Sequence, residues 1–426
     1  MSRQMKDSGI PWIGEIPDGW RIERIKTIFT ERTELSELGN EELLSVSEYY
    51  GVDKRASRVD ENETLFRSES LVGYKKCYKG DFVSNIMLAW KGSFGITKYD
   101  GVVSPAYCVY KPSDSVFPKY YHYLFRTSMY TGQFRCYSKG IIDSRLRLYS
   151  PYFYNVSAII PPVEEQQRIA NFLDQKCGEI DEMVSLQEKI IEELKAYKQA
   201  VITEAVCKGL NPDAKLKPSG IDWIGEIPEG WEVKKIKYVG YGVNGLTYSP
   251  SDLCGEEGTL VLRSSNIQNS KLVFDDNVYV SCPVPEKLLV KKGDIIVCSR
   301  NGSAALVGKC ALVEDDIYAS FGAFMLRFQS TLYNRYAFYL LTGVISNYKQ
   351  LFSTTTVNQL TLGIFNNMIA PITPSEEEQK QIAKHLDQKC AEIDSLIALK
   401  QQKIEELKEY KKSIIYEYIT GKKEVV

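Results

Sequence analysis

The chain has 426 residues, 44% hydrophobic and 25% charged, with a formal charge of −2, the profile of a soluble protein of more than one globular domain. Apolar runs stay short of the roughly 18 residues of a membrane span, and residues 1–10 lack an apolar leader core, so a cytoplasmic location is expected. Ten scattered cysteines without a C-x-x-C pair, and only His122 and His385, give no zinc-type spacing and read as structural thiols in a reducing compartment.

The first distinctive segment, PWIGEIPDGW at 11–20, recurs as DWIGEIPEGW at 222–231. Further on, EEQQRIANFLDQKCGEID from 164 recurs as EEEQKQIAKHLDQKCAEID from 376, and EELK-x-Y-K ends both at 192–198 and 405–411. Offsets of 211 to 213 across the whole unit mean one architecture written twice in tandem. The expected order is a first globular domain with its WIGEIP segment (1–163), a helix (164–210), a second WIGEIP segment and globular domain (211–375) and a second helix (376–426).

Within 20–160 and 231–372, short β-rich runs such as GVVSPAYCVYK and DIIVCSR alternate with Gly, Asp and Ser turns, and helical stretches lie near 118–131 and 333–351. This pattern predicts α+β domains with mixed or antiparallel sheets. A shared landmark, KGDFVSNIMLAWKGSFG at 79–95 and KGDIIVCSRNGSAALVG at 292–308, sits inside each. Around it the copies diverge, as LLSVSEYYGVDKRASRV facing LVLRSSNIQNSKLVF shows. A common frame carrying two different inserts suits a reader of two different targets.

Lys and Arg exceed Asp and Glu by 20 to 16 in residues 20–150 and by 13 to 11 in 231–365, whereas the helical segments 164–208 (6 to 10) and 376–426 (10 to 11) are acidic. From 119 to 147 the cations Lys119, Arg126, Arg135, Lys139, Arg145 and Arg147 interleave with Tyr120, Tyr121, Tyr123, Tyr130 and Tyr137, against one acid, Asp143. The counterpart carries Arg327, Arg335, Thr354, Thr355, Asn358 and Gln359. Trp90, Lys91 and Ser93 after the first landmark, Arg300, Asn301 and Ser303 after the second, and Arg263, Ser265, Asn266 and Lys271 complete the candidates for a DNA-binding face. These side chains donate to phosphates or make paired hydrogen bonds to base edges.

Each copy ends in a heptad-like stripe: Ile169, Leu173, Lys176, Ile180, Met183, Gln187, Ile190, Leu194, Tyr197 and Val201, then Ile382, Leu386, Lys389, Ile393, Leu396, Lys400, Lys403, Leu407, Tyr410 and Ile414. Self-complementary copies related by a pseudo-twofold axis would pack these as antiparallel coiled-coil helices with a globular domain toward either end. GYGVNG at 240–245 fits G-x-G-x-x-G, but LTYSPSDLCGEEG follows and cannot open a helix. SPAY at 104–107 lacks the second proline of a methyltransferase loop, and the chain has no P-loop. Catalytic, cofactor and metal residues are therefore not assigned.

The paired WIGEIP-x-GW openings, the two EEQ…LDQK…EID helices and the dissimilar inserts together resemble the specificity subunit of type I restriction-modification systems, over essentially the whole chain. That resemblance implies target recognition domains that each read one half of a bipartite site in double-stranded DNA. It also implies helices that space them and dock two methyltransferase subunits, to which two restriction-translocase subunits attach. S-adenosylmethionine, ATP and Mg would then belong to those partners, and this chain would be non-catalytic. Two other readings stay open: a coiled-coil scaffold that never touches DNA, and a self-contained DNA methyltransferase.

Overall fold

A computed structural model describes residues 3–48, 50–55, 70–349 and 358–425. They form two units, Met1–Gln187 with Gln402–Val426, and Glu188–Gln401. The helices are α1 (Pro118–Arg126), α2 (Ser128–Tyr137), α3 (Ser150–Phe153), α4 (Val163–Lys208), α5 (Asn334–Tyr348), α6 (Leu362–Asn367) and α7 (Glu376–Ile419). Helices and sheets mix in both units, the expected α+β class. The two long helices start on glutamates, Glu164 and Glu165 in α4 and Glu376 to Glu378 in α7, which favour the positive end of the helix dipole. They stop before Gly209 and Gly421, at φ of 71° and 75°, the left-handed conformation that glycine takes most easily.

In the first unit, strands Phe29–Arg32, Tyr107–Pro112, Phe82–Asn85 and Phe94–Ile96 form an antiparallel sheet in that spatial order. The second unit repeats it with Gly240–Asn244, Met325–Ser330, Ile295–Cys298 and Cys310–Leu312. Each insert leaves and returns through one two-stranded ribbon, Arg21–Arg24 against Ser157–Ile160 and Glu232–Lys235 against Ile369–Ile372, so each is closed at its neck. GYGVNG is mostly strand. A Cβ on Gly240 would run into the Gln329 carbonyl and the Phe328 ring, so tight sheet packing accounts for that glycine without a phosphate loop.

The shared KGD landmark turns through Gly80 and Gly293, at φ of 94° and 92°, and buries an aspartate in each unit. Asp81 accepts from the Tyr78 amide at 2.8 Å and from Arg32 Nε at 2.7 Å. Asp294 accepts from the Lys291 amide at 2.8 Å and faces Arg327 at 3.5 Å. Burial raises both carboxyls above the usual range against these lowering contacts.

Within each unit a segment of α4 lies antiparallel to a segment of α7. In the first, Phe172 meets Tyr418 with ring centroids 4.4 Å apart, and Lys411 Nζ lies 2.7 Å from both Asp181 carboxylate oxygens. In the second, Lys198 bonds Asp394 in the same way at 2.7 Å. The seam differs from the expected stripe in phase. Leu173, Ile180, Leu386, Ile393, Leu407 and Ile414 are buried as expected, but the alternating positions shift by one, to Cys177, Ile191, Cys390 and Ile404. Met183, Tyr197, Leu396 and Tyr410 face outward. Adjacent apolar pairs such as Met183-Val184 and Ile190-Ile191 leave both phases open in sequence; in the fold Val184 packs against the core and Ile191 is buried.

The duplicated motifs are joints between these parts. The Trp20 indole donates to Glu165 at 2.8 Å, and Trp231 donates to Glu378 at 3.1 Å. A Cβ on Gly421 would lie 2.7 Å from the Trp20 ring, and one on Gly209 would lie 3.3 Å from the Trp231 ring. Each tryptophan therefore fixes the start of its own repeat's helix and the end of the other repeat's helix. The glutamine of each EEQ run is buried as well. Gln166 accepts from the Phe117 amide at 2.8 Å and donates to the Pro161 carbonyl at 2.8 Å, while Gln379 bonds Tyr333 at 2.9 Å and Thr373 at 3.1 Å.

Candidate nucleic-acid interface

The aromatic-basic stretch of the first unit splits in two. Tyr120, Tyr121 and Tyr130 are core residues with Phe82, Phe94, Phe125 and Phe134, and their hydroxyls bond internally, Tyr120 to the Ile419 carbonyl and Tyr121 to that of Ile159. Tyr123 donates to Asp174 at 2.8 Å, and Lys119 pairs with the same carboxylate. Arg126 is a clamp whose guanidinium donates to Glu48 and Phe94 carbonyls at 2.7 and 2.8 Å. Desolvation, with Arg126 and Lys119 close by, pushes His122 down to about 3. Ser93 is buried and bonds Val46. Ser93 and Arg126 are thus corrected from candidate DNA contacts to internal ties.

The remaining candidates of that unit share one surface. Trp90 on the short 3-10 turn Ala89–Lys91 carries Lys91 and Arg135 over its ring, each at 5.1 Å. Arg135 also pairs with Asp143 at 2.8 Å. Lys139 and Arg147 are bridged by backbone hydrogen bonds of 2.9 Å, and Lys139 Nζ lies 4.8 Å from the Tyr152 ring centroid. This narrow loop presents exposed Arg145 and, between the strands of the bridge, a fully exposed Ile141. Lys91, Arg135 and Lys139 ride on aromatic faces, which orient them.

In the second unit a cavity of about 940 Å³ gathers Arg263, Ser265, Arg300, Asn301 and Asn358. Segments distant in sequence meet because strand Arg300–Asn301 pairs with Asn358–Gln359 and the Asn301 amide donates to Ser264 Oγ at 3.1 Å. Arg300 lies 5.1 Å over the Phe324 ring, and Arg263 is held by Asp276 at 2.9 Å. Ser303 and Gln359 are exposed nearby but do not line the cavity. Sequence reasoning missed Tyr248, Asp276 and Phe324, which also line it; exposed Phe324, in a Gly-Ala-Phe turn, is the one signal that could have marked it.

Other candidates fall elsewhere. Asn266 is buried, accepting from the Arg263 amide at 2.9 Å and donating to the Val273 carbonyl at 3.0 Å; it is corrected to a turn-forming residue. Lys271 closes a hairpin whose turn, Asn269 and Ser270, has positive φ, and lines a different cavity with Lys198, Arg335 and Asp387. Arg327 is buried, and Arg335 ties α5 to Asp387 at 2.6 Å and to Glu314 at 2.6 Å. Thr354 and Thr355 lie outside the described residues. Among the described residues no cluster of His, Cys, Asp and Glu could hold a metal, and no helix is long and apolar enough to cross a membrane.

The long helices carry a second, outward apolar set. Met183 and Leu186 of α4, with Tyr410 of α7, are exposed in the first unit; Tyr197, Leu396 and Leu399 are exposed in the second. These are equivalent residues of the two repeats, and their exposures match, 43% against 46% for Met183 and Leu396 and 58% against 57% for Tyr197 and Tyr410.

Comparison with known proteins is consistent across the chain. A family model described as the type I restriction modification DNA specificity domain matches residues 17–196 and again 228–409. The type I restriction enzyme MjaVIII specificity subunit of Methanocaldococcus jannaschii is 28% identical over 280 residues, 63% of this chain and 63% of that one. A putative type I restriction enzyme MjaX specificity subunit of the same organism is 24% identical over 96% of this chain and 95% of its own length. A chain from a solved structure on complex assembly and conformational transition of the type I R-M system shares the fold, at a TM-score of 0.71 and 18% identity, over 95% of this chain and 98% of that one.

Proposed function

The chain belongs to the type I restriction-modification DNA specificity family, and from this premise we propose that each unit reads one half of a bipartite site in double-stranded DNA. The observation that carries this reading is the placement of the difference between the repeats. The buried joints recur residue for residue, whereas the exposed cation-bearing surfaces, Trp90 with Arg135, Lys139, Arg145 and Arg147 in one unit and the Arg263–Arg300 cavity in the other, are built from different residues. Lys91, Ser303 and Gln359 belong to the rims of these surfaces.

Arginine and asparagine at such positions make paired hydrogen bonds to base edges, and lysine contacts to phosphate add salt-dependent affinity. The duplicated outward set on the helices supplies two equivalent docking faces, one for each of two methyltransferase subunits. Restriction-translocase subunits attach through these. Methyl transfer, with S-adenosylmethionine, and ATP- and Mg-dependent work reside in the partners, and this chain acts without catalysis of its own in the cytoplasm.

The paired helices set the spacer between half-sites. Adding seven residues at equivalent positions of α4 and α7 keeps the seam in phase and lengthens the pair by about 10 Å, close to three base-pair steps of about 3.4 Å. Sequencing of methylated sites should show unchanged half-sites with a longer spacer; an unchanged spacer would refute this role.

A further inference from the structure

Two arginines at the second unit's cavity are held in ways that favour a base edge over a phosphate. Arg300 places its guanidinium over exposed Phe324, at 5.1 Å from the ring centroid, an aromatic contact that holds the cation without a carboxylate partner among the described residues. Arg263 is braced by the Asp276 carboxylate at 2.9 Å, and its Nε is buried without a hydrogen-bond partner, as is Ser265 Oγ beside it. A phosphate drawn to Arg263 would be repelled by Asp276. A G·C pair would not: guanine offers N7 and O6 as acceptors to an arginine fork, and cytosine N4 offers an amino hydrogen to a carboxylate. The Arg263–Asp276 couple therefore carries the donor and acceptor pattern that complements one whole G·C pair in the major groove. Arg300, at the same cavity, offers a second arginine fork, which suits a second guanine. The segment carrying Arg300 is tied in place by the Asn301 side chain, which donates to Ser264 Oγ, and by the pairing of its strand with Asn358–Gln359.

Resting on the DNA-reading function proposed above, we infer that the half-site of the second unit contains two G·C pairs, one read by Arg263 with Asp276 and one by Arg300 over Phe324. The full chain, assembled with its methyltransferase subunits, would be given a library of duplexes randomised across both half-sites, and the methylated pool sequenced. Arg300→Ala should lower the preference for guanine at one position of one half-site by roughly five- to a hundredfold, the range for losing a bidentate contact. Arg263→Ala should do so at a second position of the same half-site, with the other half-site intact in both variants, which also shows that the complex has assembled. Arg300→Lys keeps the charge and loses the fork, so it should relax the preference as Arg300→Ala does.

If the wild-type complex selects no sequence, the DNA-reading function itself fails. If it selects two half-sites but the variants leave both unchanged, or neither half-site contains two G·C pairs, this inference alone is overturned. A uniform loss of methylation across all sequences, restored by Arg300→Lys, would make Arg300 a phosphate contact and equally overturn it.

Discussion

In the first unit, Asp81 of the KGD turn is held by Arg32, which faces Val109 on the neighbouring strand. In the second, Asp294 faces Arg327, which stands opposite Val243. The same cross-strand pair of arginine and valine is present in both, with the two residues exchanged between strands. The interior thus preserves an interaction even where it has moved the residue that makes it, because an unpaired buried carboxylate is costly. The outer surfaces are under no such constraint. Trp90 and Arg135 in one unit and Phe324 and Arg300 in the other both place a guanidinium 5.1 Å from an aromatic ring centroid, but from unrelated positions. Shared burial and unshared exposure are what a common frame with exchangeable readers requires.

The largest effect expected from breaking the shared frame is at the tryptophans. Trp20→Ala and Trp231→Ala should each cost about 3–5 kcal/mol in denaturant unfolding, the range for emptying a large aromatic site, and the two should be close to equal. A marked inequality would mean that the joints are not equivalent. Glycine at the helix ends sharpens the comparison. Gly421→Ala would press a methyl into Pro17 and the Trp20 ring, the latter at 2.7 Å, whereas Gly209→Ala would meet Glu378 and the Trp231 ring only at 3.2 and 3.3 Å. Both also pay for positive φ. Gly421→Ala should therefore be the more damaging, by about 2 kcal/mol against about 1 kcal/mol. The smallest effect belongs to the ion pairs across the helix seam: Asp181→Asn and Asp394→Asn should each cost under about 1 kcal/mol, and less in high salt.

The frame was largely legible in the sequence because it was written twice. Repetition exposed the WIGEIP segments, both long helices and the KGD turns, and it carried the family resemblance. Sequence could not set the helix phase, since apolar residues stand on adjacent positions at 183–184 and 190–191 and only packing selects one. Nor could it separate a reading arginine from a structural one. Arg126 and Arg300 look alike until Arg126 is found bonded to the Glu48 and Phe94 carbonyls and Arg300 on an exposed ring. Tyr120 and Tyr121 misled for the same reason: a buried tyrosine with an internal carbonyl for its hydroxyl has the same sequence signature as an exposed one. Asn266, read as a base contact, proved to be the side chain that shapes the turn beside Arg263.

The most direct test of the common frame with separate readers is to replace the first insert alone. Residues 25–156, between the two strands of its ribbon, would be exchanged for the corresponding insert of a relative with a different target, and methylated sites mapped for the assembled complex. One half-site should change to that of the donor while the other half-site and the spacer stay as they were. Alteration of both half-sites, or of neither, would contradict the assignment of one reader to each unit.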